Sequence, residues 1–146
     1  VGIVTSHGRV IRQSVVNLPA IAEGAALAVA GGAALKEFVT LAKGETALAL
    51  MALDQPESSL FLTTALGTVK RVINDVPGSA GDWNVIRLEE GDYLVGAIQC
   101  EDESGEVVLI SSDAQLLHFD ASLVRATGRP AAGGGICCRY SSAEIC

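Results

Sequence analysis

The residues best suited to chemistry are basic side chains that recur behind small turns. Arg9 and Arg12 follow the turn in VGIVTSHGRVIR (1–12), Lys70 and Arg71 follow it in LFLTTALGTVKR (60–71), and VVLISSDAQLLH (107–118) ends on His118. Arg125 and Arg129 lie just beyond the third segment, in LVRATGRP. Cationic groups repeated at one height on successive units would form a stripe, which suits the phosphates of bent duplex DNA held without contacts to the bases. The same charges would also serve as solvated edge residues that stop exposed strands from pairing with other chains.

Covalent chemistry has less support. The sequence contains no Walker-type loop, HExxH run, defensible Ser-His-Asp or Cys-His constellation, or carboxylate pair at ligand spacing. Cys100, Cys137, Cys138 and Cys146 lack CxxC spacing, and neither His7 nor His118 stands beside them to complete a zinc site, so the thiols read as buried or incidental. The GGG run at 133–135 lacks the lysine and strand–helix context of a phosphate loop and reads as loop. A non-catalytic chain with no metal or cofactor of its own is expected.

These side chains must be positioned by a β framework. Of 146 residues 49% are apolar but only 4% aromatic, and there are 16 glycines, so the core must come from Val, Leu, Ile and Ala in a turn-rich architecture. The three segments above align without gaps, placing Gly8, Gly67 and Ala114 at equivalent points with offsets of 59 and 47 residues. Each reads as strand, tight turn, strand, and Ala114 in place of glycine predicts a different third turn. Between the hairpins a second element repeats: EFVTLAKGETALALMAL (37–53) matches NVIRLEEGDYLVGAIQC (84–100), with Gly44 over Gly91. A third, partial copy, ICCRYSSAEIC (136–146), sets Arg139 over Arg87.

The module thus holds about four strands, the size of a propeller blade, and two and a half to three blades fit in the chain. Such blades depend on stacking against neighbours. Prolines close the preceding strands in NLP (17–19) and DVP (75–77), and 54–58 and 101–106 read as acidic hairpin tips. Residues 20–35, AIAEGAALAVAGGAAL, are expected to form a flexible insertion rather than a helix, because they contain glycines and lack a 3.6-residue period. Trp83 is expected to be a packing anchor.

Two properties bear on partners. The net charge of −7 weighs against avid nucleic-acid binding, which rests on neutralised phosphates. No apolar run approaches the roughly 18–20 residues of a spanning helix and no signal peptide opens the chain, so a cytoplasmic protein without a membrane partner is expected. The first residue is not Met and the opening already looks like mid-strand, as if residues 1–146 were cut from a longer domain.

At the repeats, LFLTTALGTVKR, VIRLEEGDYLVGA and VVLISSDAQLLHFDASLVRATGRPAAGGGI resemble the C-terminal blades of the A subunits of bacterial type IIA topoisomerases, gyrase and topoisomerase IV. The resemblance implies an all-β, propeller-like β-pinwheel of four-stranded blades whose basic perimeter binds and bends duplex DNA. The perimeter positions would fall on Arg9, Arg12, Lys70, Arg71, Arg125 and Arg129. It also implies two protein partners, the rest of the A subunit together with the ATPase B subunit. ATP and Mg would serve the parent enzyme, and the site of action would be the bacterial nucleoid. The heptapeptide box that distinguishes gyrase does not occur here, which favours topoisomerase IV slightly or puts the box elsewhere. The alternative from another class is a propeller-like protein-interaction scaffold, suggested by the acidic balance.

Overall fold

A computed structural model describes residues 1–26, 28, 32–101 and 104–129; the partial repeat at 136–146, with Cys137, Cys138, Arg139 and Cys146, and the GGG run lie outside the described residues. Three antiparallel hairpins stand where the repeat places them: β1 (Gly2–Thr5) with β2 (Arg9–Arg12), β4 (Ser59–Thr64) with β5 (Val69–Ile73), and β8 (Glu106–Ile110) with β9 (Leu116–Asp120). Their registers coincide, with Val4 opposite Val10, Thr63 opposite Val69, and Ile110 opposite Leu116.

The third turn corrects one expectation. Gly8 and Gly67 have φ of 75° and 85°, and Ala114 takes the same left-handed conformation at 63°. All three turns close with equivalent bonds, from the amide of Gly8 to the Thr5 carbonyl, Gly67 to Thr64, and Ala114 to Ser111, at 3.0, 3.0 and 2.9 Å. The hairpin register demands a residue at φ > 0, and alanine occupies it at a steric cost of about 1 kcal/mol.

The strands β3 (Ala47–Met51) and β7 (Leu94–Cys100) flank β1 and β4, each with a register shift at the same place, Val4/Thr5 in one sheet and Thr63/Thr64 in the other. The second edge of each sheet is filled from further along the chain. β6 (Asp82–Asn84) runs antiparallel to β2 and β10 (Ala126–Thr127) parallel to β5, giving the orders β3-β1-β2-β6 and β10-β5-β4-β7. Each blade is therefore completed by the segment that follows the next hairpin, so a blade and a sequence module are not the same thing. Among the described residues the third sheet contains β8 and β9 alone.

The expected hairpin tips are also reassigned. Residues 54–58 join β3 to β4 and residues 101–105 join β7 to β8, so both connect one sheet to the next. The first is held by buried Asn74, whose amide donates to the Ala52 carbonyl (3.2 Å) and the Gln55 carbonyl (2.8 Å), while Gln99 donates to Ala52 (3.0 Å) and Ser58 (2.7 Å).

Apolar side chains pack between sheets. Val4, Val10 and Met51 of the first sheet meet Leu60, Leu62 and Val72 of the second, with Trp83, Val85 and Ile86 filling the seam. Phe61 and Val69, on the other face of the second sheet, meet Leu109, Ala121 and Val124, and the rings of Phe61 and Phe119 lie 6.3 Å apart. Being covered on both faces makes β4 a continuous buried run, whereas β8 alternates buried and exposed.

Trp83 is the expected anchor. Within 20–35, Ala22 to Ala25 form a turn with Gly24 at φ 80°, and a short 3-10 helix begins at Leu35; residues 27 and 29–31 lie outside the described residues. No helix among the described residues is long and apolar enough to cross a membrane.

Candidate nucleic-acid interface

The six nominated cations fall into three kinds of environment. Lys70 and Arg71 are not on an exposed rim, for they retain 1% and 6% of their accessible surface. Lys70 stands where the first and third hairpins carry Ile11 and Leu117, so its side chain enters the seam, where Nζ donates to the Val85 carbonyl at 3.0 Å and burial lowers the ammonium pKa. Arg71 lies opposite Ala126 of β10 and donates from Nε to Ser59 Oγ at 3.0 Å.

Arg9 is partly buried and paired twice. Its Nε and Nη2 grip both oxygens of Glu45 at 2.7 Å each, and Nη1 reaches Asp82 at 2.5 Å. Glu45, whose side chain is fully enclosed, also accepts from Thr5 Oγ1 (2.6 Å) and the Ala42 amide (2.7 Å). The Arg9 hydrogen bond pulls its pKa down to about 2, against the desolvation that opposes ionisation, and raises that of Arg9 in return. Because Asp82 belongs to β6, the cluster ties the first sheet to the strand that completes it. Arg129 reaches Asp75 at 3.1 Å, and its Nε is buried without a hydrogen-bond partner.

Arg12 and Arg125 are exposed. Arg12 lies 5.7 Å from the centre of the Trp83 ring, with Nε on the Ala80 carbonyl at 3.2 Å and Nη2 on that of Pro77, which orients the guanidinium and leaves it uncompensated by any carboxylate within salt-bridge reach among the described residues. Arg125 immediately precedes β10, whose Ala126 pairs with Arg71, the counterpart of Arg12. Both thus stand at the same seam, between a hairpin's second strand and the segment that closes it, in successive blades.

The sequence nominations passed over three exposed cations, Lys36, Lys43 and Arg87. Arg87 had a signal, since Arg139 recurs over it in the partial repeat; Lys36 and Lys43 had none.

Among the described residues the grooves are lined chiefly by apolar side chains. One of about 430 Å3 between β7 and β8 is walled by Phe61, Val95, Ile98, Val107 and Leu109, with Cys100 and Glu106 as its titratable residues. Among the described residues no three His, Cys, Asp or Glu side chains gather as a metal site would require.

Stacked four-stranded sheets that exchange their closing strands define a propeller-like repeat protein. A sequence model of the DNA gyrase C-terminal domain, beta-propeller, matches residues 3–25, 84–101 and 105–133. Similar proteins include the DNA gyrase A subunit of Treponema pallidum, 32% identical over 130 residues and 86% of this chain, and that of Escherichia coli, 31% identical over 128 residues and 85%. The homologue from Pseudomonas aeruginosa is 42% identical over 77 residues, 51% of this chain. The chain spans 15%, 14% and 8% of those relatives respectively. It belongs to the family of gyrase A C-terminal β-propeller domains.

Proposed function

We propose that this chain is the DNA-binding and DNA-bending C-terminal part of a type II topoisomerase A subunit, holding duplex DNA along the seams that carry Arg12 and Arg125. The observation that carries this reading is that two exposed arginines, one on a hairpin's second strand and one on a closing segment, flank the same kind of strand junction in consecutive blades of a chain whose relatives are gyrase A subunits. Arg9 and Arg129 border the same path but carry acidic partners, so they contribute less charge to phosphates. Lys70 and Arg71 support the seam from within. The parent enzyme would supply strand passage in the bacterial nucleoid, with ATP and Mg serving its B subunit.

Few exposed cations among the described residues, on a chain of net charge −7, imply weak, salt-sensitive binding. Two to four phosphate contacts correspond to a slope of about −2 to −4 in log affinity against log salt. Fluorescence anisotropy with a labelled duplex tests this at low ionic strength. Arg12→Glu with Arg125→Glu should abolish binding while the circular dichroism spectrum is unchanged. A folded chain that binds no DNA at low salt, or a double variant that binds as before, overturns the proposal.

The acidic balance favours one other reading, a protein-interaction scaffold. In that case the double variant would keep its protein partner, and the wild type would show no salt-dependent affinity for DNA.

A further inference from the structure

Arg12 is held by more than its own strand. Its amide donates to the Gly81 carbonyl at 2.8 Å, Nε to the Ala80 carbonyl at 3.2 Å and Nη2 to the carbonyl of Pro77, while the guanidinium carbon lies 5.7 Å from the centre of the Trp83 ring. The ring stands there because β6 pairs antiparallel with β2 and sets Trp83 opposite Val10. Arg12, two residues further along β2, projects from the same face and reaches the ring on the diagonal. Trp83 is only 9% exposed and belongs to the core between the first two sheets, so the platform is fixed. The loop that supplies the carbonyls is anchored at its start by buried Asn74, which donates to the Ala52 and Gln55 carbonyls.

A guanidinium carries five N–H donors in one plane. In Arg12 two of them engage carbonyls, and the other three, including both on Nη1, have no hydrogen-bond partner among the described residues. Arg125 is the contrast. It is equally exposed but makes no hydrogen bond, ion pair or ring contact among the described residues, so its orientation is not set by a partner.

We propose that Trp83 and the Pro77 and Ala80 carbonyls position Arg12 for DNA, holding its guanidinium in one orientation with three donors open to a phosphodiester group. Binding then does not have to order a long side chain. The inference rests on the DNA-binding reading above and makes Trp83 a positioning residue, which acts through Arg12. It also makes arginine, and not positive charge alone, the requirement at position 12. A lysine there would carry the same charge but could neither span two carbonyls nor lie flat on the ring.

Fluorescence anisotropy with a labelled duplex at low ionic strength tests this with charge held constant. Arg12→Lys should bind about fivefold more weakly than the wild type with the same dependence on salt, whereas Arg125→Lys should stay within about twofold. Trp83→Leu should weaken binding about as much as Arg12→Lys, and adding it to Arg12→Lys should weaken it by less than about twofold more, because Trp83 acts through the guanidinium. A purely structural Trp83 would give losses that multiply. If Trp83→Leu does not unfold cooperatively, Trp83→Phe keeps a ring in the seam; it should weaken wild-type binding about twofold and leave that of Arg12→Lys unchanged. Equal binding by Arg12→Lys and the wild type sinks the inference. So does a loss in Arg125→Lys as large as that in Arg12→Lys, or a double variant whose losses multiply. A folded wild type that binds no duplex at low salt overturns the DNA-binding reading and this inference with it, so the two failures are told apart.

Discussion

Replacing Glu45 with Gln removes the charge from an enclosed carboxylate that Arg9 grips with two nitrogens, and the cost can be worked from the geometry. A carboxyl held at about 2 rather than its usual 4.5 has a proton affinity changed by more than a hundredfold. At about 1.4 kcal/mol per tenfold, that contributes about 3 kcal/mol to stability above pH 4.5. Arg9 keeps about a quarter of its side chain in water and retains Asp82, which reduces the expected loss to about 2 kcal/mol. Because the folded carboxyl titrates below the unfolded one, this stability is present above about pH 4.5 and disappears as the pH falls through about 2. Urea unfolding at neutral pH should therefore separate Glu45→Gln from the wild type by about 2 kcal/mol, and the gap should narrow steadily on acidification. A difference below about 0.5 kcal/mol at pH 7, or one that does not shrink with acid, refutes the reasoning.

Three further outcomes are expected. Ala114→Gly relieves a left-handed alanine and should stabilise the chain by about 0.5–1 kcal/mol, visible as a rise in melting temperature. Gly8→Ala meets the Ile86 methyl at 2.7 Å as well as φ 75°, and should cost at least about 2 kcal/mol in a urea titration. Lys70→Met keeps the volume of a buried side chain and removes its ammonium, so DNA affinity should be unchanged and stability should change by less than about 1.5 kcal/mol; a loss of binding on the scale of the Arg12 and Arg125 double variant would place Lys70 at the interface after all.

The hairpins were legible because their signal is local: apolar runs around Gly8 and Gly67, close enough to the third copy to carry Ala114 along. The closing strands were not. β6 is three residues with polar ends and β10 is two, too short for any alternation to register, and both exist because a neighbouring sheet offers an open edge. Leu35–Glu37 makes the point from the other side, since it aligns with β6 yet forms a 3-10 helix where the described residues offer no such edge. Lys70 was nominated by residue type, although Ile11 and Leu117 at the equivalent positions already marked the site as interior. Arg71 had no such warning, because Arg12 and His118 at the equivalent positions are polar too. Glu45 was equally unreadable, being 36 residues from Arg9 and joined to it by the fold alone.

The borrowed closing strand also orders events during synthesis. When a ribosome has produced the first hairpin and β3, the β2 edge is still an unpaired ladder, and it remains so until residues 82–84 have left the exit tunnel. By then β4 and β5 have been translated and can pair with each other. Completion of the first sheet thus waits on the second hairpin, and completion of the second waits on the third. Nascent chains halted near residue 75 would carry an exposed edge prone to pair with another chain, whereas those halted far enough on for residues 82–84 to have left the tunnel would have it capped.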